Sequence, residues 1–70
     1  LYGGGQDGLM IPRAIVSRAA ALLRPGGVLV MEHDAGQGRP LREAALAAGF
    51  TGATTGTDLT GRDRYLRAQR

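Results

Sequence analysis

The 70-residue sequence contains no cysteine and a single histidine, and these shortages exclude several kinds of protein. Without cysteine there is neither a disulfide framework nor a thiolate metal site, and one histidine does not make a zinc site by itself. The absence of cysteine is typical of a cytoplasmic chain, which is the location we expect. Aromatic residues make up only 4% of the chain, so any hydrophobic core has little bulk.

Long apolar segments are missing as well. No run approaches the ~20 apolar residues that a membrane-spanning helix requires. The first residues also lack the charged and then apolar order of a signal peptide, so we expect no membrane partner. The sequence begins at Leu1 rather than at methionine, which suggests that an amino-terminal part precedes it.

Lysine is absent too, so all nine basic residues are arginine; the chain has six acidic residues and a net charge of +3. Arginine binds phosphate and carboxylate groups well, so a nucleic-acid partner has to be considered. Several of the arginines are spread over two predicted helical segments, namely Arg13, Arg18, Arg24, Arg39 and Arg42. Their spacing favours solvated helix faces over a nucleic-acid-binding patch.

Residues 28–31 form a continuous apolar run, which is typical of a parallel strand covered on both faces. A helix is predicted over residues 9–24, and Pro25 with the two glycines that follow it ends that helix. The apolar side chains predicted to form its buried face are Ile11, Ile15, Ala19, Leu22 and Leu23. A chain of this length buries only ~60% of its unfolded surface, so we interpret it as part of a larger sheet domain.

The second half of the chain predicts one more helix and two strands. The helix covers residues 40–48, and Gly49 ends it as a left-handed cap with Phe50 folding back over the last turn. Strands are predicted over residues 53–58 and 65–68, and the connection between them is too short for a crossover, so they pair antiparallel. The predicted fold class is therefore α/β, in the order helix, strand, helix, strand, strand.

Three polar residues are candidates for the rim of a substrate site. Glu32 and His33 follow the predicted strand at its carboxyl end, where open α/β sheets bind their ligands; the alternative is that they end the strand in solvent. Asp7 lies in a glycine-rich loop over residues 1–8; it either contacts substrate or has a structural role, in which it caps the first helix or fixes the loop. No set of residues predicts a metal site.

Three sequence patterns, together with the element order, resemble the protein-(glutamine) methyltransferases that modify peptide chain release factors. The patterns are Gly-Gly-Gln-Asp-Gly-Leu over residues 4–9, Leu-x-Pro-Gly-Gly over residues 23–27, and Asp-Leu-x-Gly-x-Asp-Arg over residues 58–64. The resemblance covers nearly the whole chain but only the carboxyl-terminal quarter or so of such an enzyme. It implies the closing part of a Rossmann-like methyltransferase sheet with a reversed last strand.

The resemblance also implies what the chain does not contain. The family's glycine-rich cofactor loop and its Asn-Pro-Pro-Tyr motif, which holds the target amide, both lie upstream. The resemblance implies that the parent enzyme uses S-adenosylmethionine as its cofactor and a release factor as its substrate. No catalytic or cofactor-binding residue is predicted here, and we expect the segment alone to be inactive and to bind no cofactor.

Two other hypotheses remain open at this point. The chain could be the tail of another class I methyltransferase that acts on a nucleic acid or a small molecule. It could instead be a free-standing, arginine-rich nucleic-acid-binding module. The exact methyl acceptor and the oligomeric state are not predicted.

Overall fold

The computed structural model describes residues 9–70, which fold into two α-helices, a short 3₁₀ helix and a three-stranded sheet. In chain order the elements are α1 (Met10–Leu22), β1 (Val28–Glu32), the 3₁₀ helix (Ala35–Gln37), α2 (Gly38–Ala48), β2 (Gly52–Thr57) and β3 (Asp63–Gln69). Each predicted helix and strand is present, with bounds that differ by a few residues. The predicted order and fold class are confirmed.

The turn from α1 into β1 follows from the residues around Pro25. α1 ends because Leu23 adopts an extended backbone while its N–H donates to the carbonyl of Ala19 at 2.8 Å. Gly26 then takes a φ of 87°, which suits a residue without a Cβ atom. The N–H of Gly26 donates to the carbonyl of Arg70 at 2.8 Å, so this turn is held beside the end of β3.

The sheet has the order β1-β3-β2, with β3 antiparallel to both of its neighbours. The antiparallel pairing of the last two strands is therefore confirmed. β1 and β2 run parallel to each other on either side of β3. Arg67 marks the centre of this arrangement, because it pairs with Val30 on β1 and with Thr54 on β2.

One face of the sheet is covered by helices and forms the core. Leu41 on α2 and Leu66 on β3 are both fully buried there. Arg42 also ties α2 to the sheet, because its guanidinium donates to the hydroxyl of Thr55. α2 ends as predicted: Gly49 has a φ of 108°, and the N–H of Phe50 donates to the carbonyl of Ala45 at 3.1 Å.

The buried side of α1 agrees with the predicted one only in part. Ala19 and Leu23 are half-buried and pack against the core, as predicted. Val16 and Ala20 are its fully buried residues, whereas Ile11, Ile15 and Leu22 are exposed, Leu22 by 70%. The prediction was wrong for these three residues because apolar side chains occur on most sides of this helix. A 3.6-residue period shows that a helix has an apolar face, but it does not show which part of a broad apolar face is buried.

The other face of the sheet is open among the described residues. Val28 and Val30 of β1 lie on it, and Val30 is 61% exposed. The ring of Tyr65 lies across Gly56, so that a methyl group at position 56 would overlap the ring. The apolar run of β1 is therefore covered on one face only by residues 9–70, and not on both as its sequence predicts.

Candidate functional site

A polar depression of about 290 Å³ lies at the carboxyl end of β1. Its lining residues are Glu32, His33, Asp34 and Arg64. The two predicted rim residues that the structure describes, Glu32 and His33, are thus brought together here. Asp7, the third, lies outside the described residues. This end of a sheet is where α/β proteins place ligands, so we take the depression as the candidate site.

His33 is the most buried of the four residues, with an exposed fraction of 8%. Its backbone N–H donates to the carbonyl of Arg64 at 2.8 Å, and its ring Nδ1 lies 2.7 Å from the carbonyl oxygen of Asp34. Because a carbonyl only accepts hydrogen bonds, Nδ1 carries the proton. In the neutral ring Nε2 is then an acceptor, and it is buried with no partner among the described residues.

Arg64 reaches the depression through an irregularity in the sheet. Gly56 pairs with Tyr65 and Thr57 pairs with Asp63, so Arg64 is one extra residue on β3. Such a bulge bends the strand and changes the direction of the extra side chain, and bulges are common beside active sites. Arg64 therefore lies next to Glu32 and Asp34 across the end of β1.

The loop after β1 is closed on itself. The Asp34 side chain accepts a hydrogen bond from the backbone N–H of Gln37, and the Gln37 side chain accepts one from the N–H of Asp34 at 3.1 Å. This reciprocal pair is a capping box. It fixes the position of Asp34 at the depression.

The turn between β2 and β3 is organised by Asp58. Its Oδ1 accepts hydrogen bonds from the N–H and the hydroxyl of Thr60, at 2.8 and 2.6 Å, and from the N–H of Arg62 at 3.1 Å. The Thr60 hydroxyl is the main reason why the pKa of the Asp58 carboxyl is lowered, followed by the N–H of Arg62; the charge of Arg64 contributes least. Asp58 thus stabilises the turn that leads into β3, the strand that contains Arg64.

The chemistry of the depression is that of hydrogen bonding rather than of metal binding. Two carboxylates accept hydrogen bonds, while the guanidinium of Arg64 donates them. Within residues 9–70, no group of three or more histidine, cysteine or acidic side chains is arranged to hold a metal ion. A mixed set of this kind suits a neutral polar group that both donates and accepts, such as an amide.

An apolar groove of about 530 Å³ runs along the exposed side of α1. Two of the arginines have partners within the fold: Arg39 pairs with Glu43 at 3.3 Å, and Arg70 donates to the carbonyl of Ala20 at 2.6 Å. Neither helix in the described part of the chain is long and apolar enough to cross a membrane.

Glu32 and His33, which are predicted as rim residues, line the depression, whereas Arg64 lines it without having been predicted to do so. Arg64 is the last residue of the Asp-Leu-x-Gly-x-Asp-Arg pattern, which by itself does not indicate a position at this site. The signal that identifies it is the difference of one residue between the paired segments of β2 and β3, which is visible only once the register is known.

Comparison with known proteins shows similarity along nearly the whole chain. It is 62% identical over 68 residues to the release factor glutamine methyltransferase of Bifidobacterium longum, covering 97% of this chain and 23% of that protein. The enzyme of the same name from Deinococcus radiodurans is 44% identical over 70 residues, covering 100% and 24%. That of Mycolicibacterium smegmatis is 44% identical over 68 residues, covering 96% and 24%.

No family model and no solved structure matches the chain. The chain spans about a quarter of the length of the curated relatives that it matches, and the matching part is their carboxyl-terminal one. The three-stranded mixed helix–strand fold agrees with that position. Over the part that it spans, the chain therefore belongs to the release factor glutamine methyltransferase family.

Proposed function

We propose that this chain is the carboxyl-terminal portion of a single methyltransferase domain that methylates a glutamine of a peptide chain release factor. The identity of 62% over 97% of the chain is the observation that carries this proposal. The order β1-β3-β2, in which the last strand is reversed, supports it. The cofactor-binding half of the domain and the amide-holding motif belong to the preceding part of the protein, and the proposed location is the cytoplasm.

The exposed surfaces of the chain support a larger domain. β1 pairs along one edge with β3, and within residues 9–70 no strand pairs with its other edge. Val28 and Val30 expose apolar surface beside that edge. A sheet edge with these properties is a template for another strand. We propose that the preceding part of the same domain contributes that strand.

S-adenosylmethionine is the methyl donor that we propose for the whole enzyme, and it would supply an electrophilic methyl group. The described residues do not fit a site for it. The loop after β1 is at the right edge of the sheet, but the N–H groups of Asp34 and Gln37 are already used within the loop. We therefore assign no cofactor contact to this chain.

The chain's own contribution is to shape the substrate side of the cleft. An amide nitrogen is a poor nucleophile, since its lone pair is delocalised, so its methylation depends on positioning. We propose Asp7, Glu32 and His33 as residues at the rim that receives the protein substrate. The capping box and the bulge hold the rim residues of the depression in place.

The test is methyl transfer by the complete protein that carries this chain. It is incubated with a purified release factor and S-adenosylmethionine, and the modified residue is located by peptide mass spectrometry. We expect one methyl group on a glutamine side chain, and none when that glutamine of the release factor is replaced by alanine. Transfer to a nucleic acid or a small molecule, with none to the release factor, would overturn the proposal.

A further inference from the structure

We infer that Arg64 is a specificity-determining residue that donates hydrogen bonds to a peptide carbonyl of the protein substrate. In the same depression Glu32 and Asp34 accept hydrogen bonds from peptide N–H groups. This inference rests on the proposed function and adds to it the group that the depression recognises. It is carried by four observations on the described residues.

The first observation is the bulge. A regular β3 would have one residue fewer between its pairs with Gly56 and Thr57, and Arg64 is the residue in excess. The carbonyl of Arg64 is fixed by the N–H of His33 at 2.8 Å, so the backbone at the bulge is held from the β1 side. Arg64 therefore lines the depression from an anchored backbone.

The second observation is the balance of charge. Two acidic residues and one arginine line the depression, so an acidic ligand would be repelled by Glu32 and Asp34. A neutral amide has no such penalty, because its N–H donates to a carboxylate while its carbonyl accepts from a guanidinium. The lining residues therefore favour peptide groups over phosphate or carboxylate groups.

The third observation is the buried ring nitrogen of His33. Its Nε2 has no hydrogen-bond partner among the described residues, and only 8% of the residue is exposed. A buried polar atom without a partner is costly. A polar group from outside residues 9–70 would remove that cost, which agrees with a site that is filled by another segment.

The fourth observation is the exposure of Arg64 itself, which leaves its guanidinium accessible to a ligand. Other arginines are committed elsewhere: Arg39 to Glu43, Arg42 to Thr55 and Arg70 to the carbonyl of Ala20. Arg64 is thus suited to an intermolecular role rather than to holding the fold.

The experiment compares Arg64→Gln with Arg62→Gln in the complete enzyme. Both variants remove one positive charge from an exposed arginine of the same hairpin, but only Arg64 lines the depression. For Arg64→Gln we expect the KM for the release factor to rise about tenfold or more, the usual effect of losing a charged hydrogen bond. The KM for S-adenosylmethionine should change less than about twofold, and Arg62→Gln should leave both values unchanged.

Two further variants keep the test decisive. Arg64→Lys keeps the charge but loses the planar fork, so it should recover only part of the affinity for the release factor. If Arg64→Gln does not fold, Glu32→Gln serves instead, and we expect it to raise the same KM about threefold or more. Equal KM values for the release factor in Arg64→Gln and Arg62→Gln would overturn the inference. So would an unchanged KM in folded Glu32→Gln. If the unaltered enzyme methylates no release factor, the proposed function fails first.

Discussion

Single residues in this chain owe their roles to the hydrogen bonds that their neighbours offer. Asp58 and Asp63 belong to the same short pattern, yet only Asp58 accepts three hydrogen bonds from within the turn. Its carboxylate is favoured over the protonated acid, which is why its pKa is lowered. Asp63 lies against the first residue of α2 instead, where a Cβ atom on Gly38 would come within 2.9 Å of its Oδ2.

The lowered pKa predicts how the turn responds to acid. A carboxyl group whose pKa is depressed in the folded state stabilises that state above its unfolded pKa, and the contribution is lost as the pH falls through the folded pKa. We expect an NMR titration of the Asp58 carboxyl carbon in the complete protein to give a midpoint below the ordinary value of 3.8.

The Thr60 hydroxyl is the main cause of the shift, so Thr60→Val should move the midpoint upwards. Thr51→Val is a matched control, because the Thr51 hydroxyl donates to the carbonyl of Gln69, far from this turn. A midpoint at or above 3.8 in the unaltered protein would contradict the prediction.

At the scale of elements, the sequence was sufficient wherever a local signal decided the structure. Pro25 and the following glycines end α1, and Gly49 with Phe50 ends α2 as a left-handed cap. The short connection made the last two strands a hairpin. Each of these outcomes depends on residues next to one another in the chain, so it is visible in the sequence.

Features that depend on distant residues were not predictable in the same way. Val16 rather than Ile15 faces the core, because α2 packs against that side of α1. The bulge at Arg64 was not predictable because it depends on the register between two strands, which neither strand shows by itself. The capping box of Asp34 and Gln37 was likewise not predicted from the sequence.

The end of α2 offers a quantitative test. Gly49 has a φ of 108°, a conformation that costs an L-residue about 1 kcal/mol or more. We expect Gly49→Ala in the complete protein to speed hydrogen exchange of the Phe50 amide about fivefold. Gly36→Ala is the matched control, because Gly36 lacks a positive φ and has open space around it. Equal exchange rates of the Phe50 amide in the two variants would show that the cap does not require glycine at position 49.

At the scale of the whole molecule, the described residues have a small core and large apolar surfaces. Three of the eight buried hydrophobic residues are alanines, namely Ala20, Ala45 and Ala68. Leu22 and Val30 are mostly exposed. A segment of this size with so little bulk inside has marginal stability without further support.

We therefore expect the isolated 70-residue chain to unfold without a sharp transition and to bind no S-adenosylmethionine by calorimetry. The physical reason is that the open sheet face and the free edge of β1 lack cover in the described residues. The complete protein, tested in the same buffer, is the positive control and should bind the cofactor. Binding by the isolated chain with comparable affinity would show that a cofactor site lies within it.

The position of β3 has a consequence for synthesis on the ribosome. The strand that joins β1 to β2 is the last of the three to be translated, so neither neighbour has its hydrogen-bonding partner until about residue 69 has left the exit tunnel. Every ribosome that stops early within β3 releases two unjoined strands with exposed amides. This three-stranded sheet is therefore completed only after its last strand has been translated.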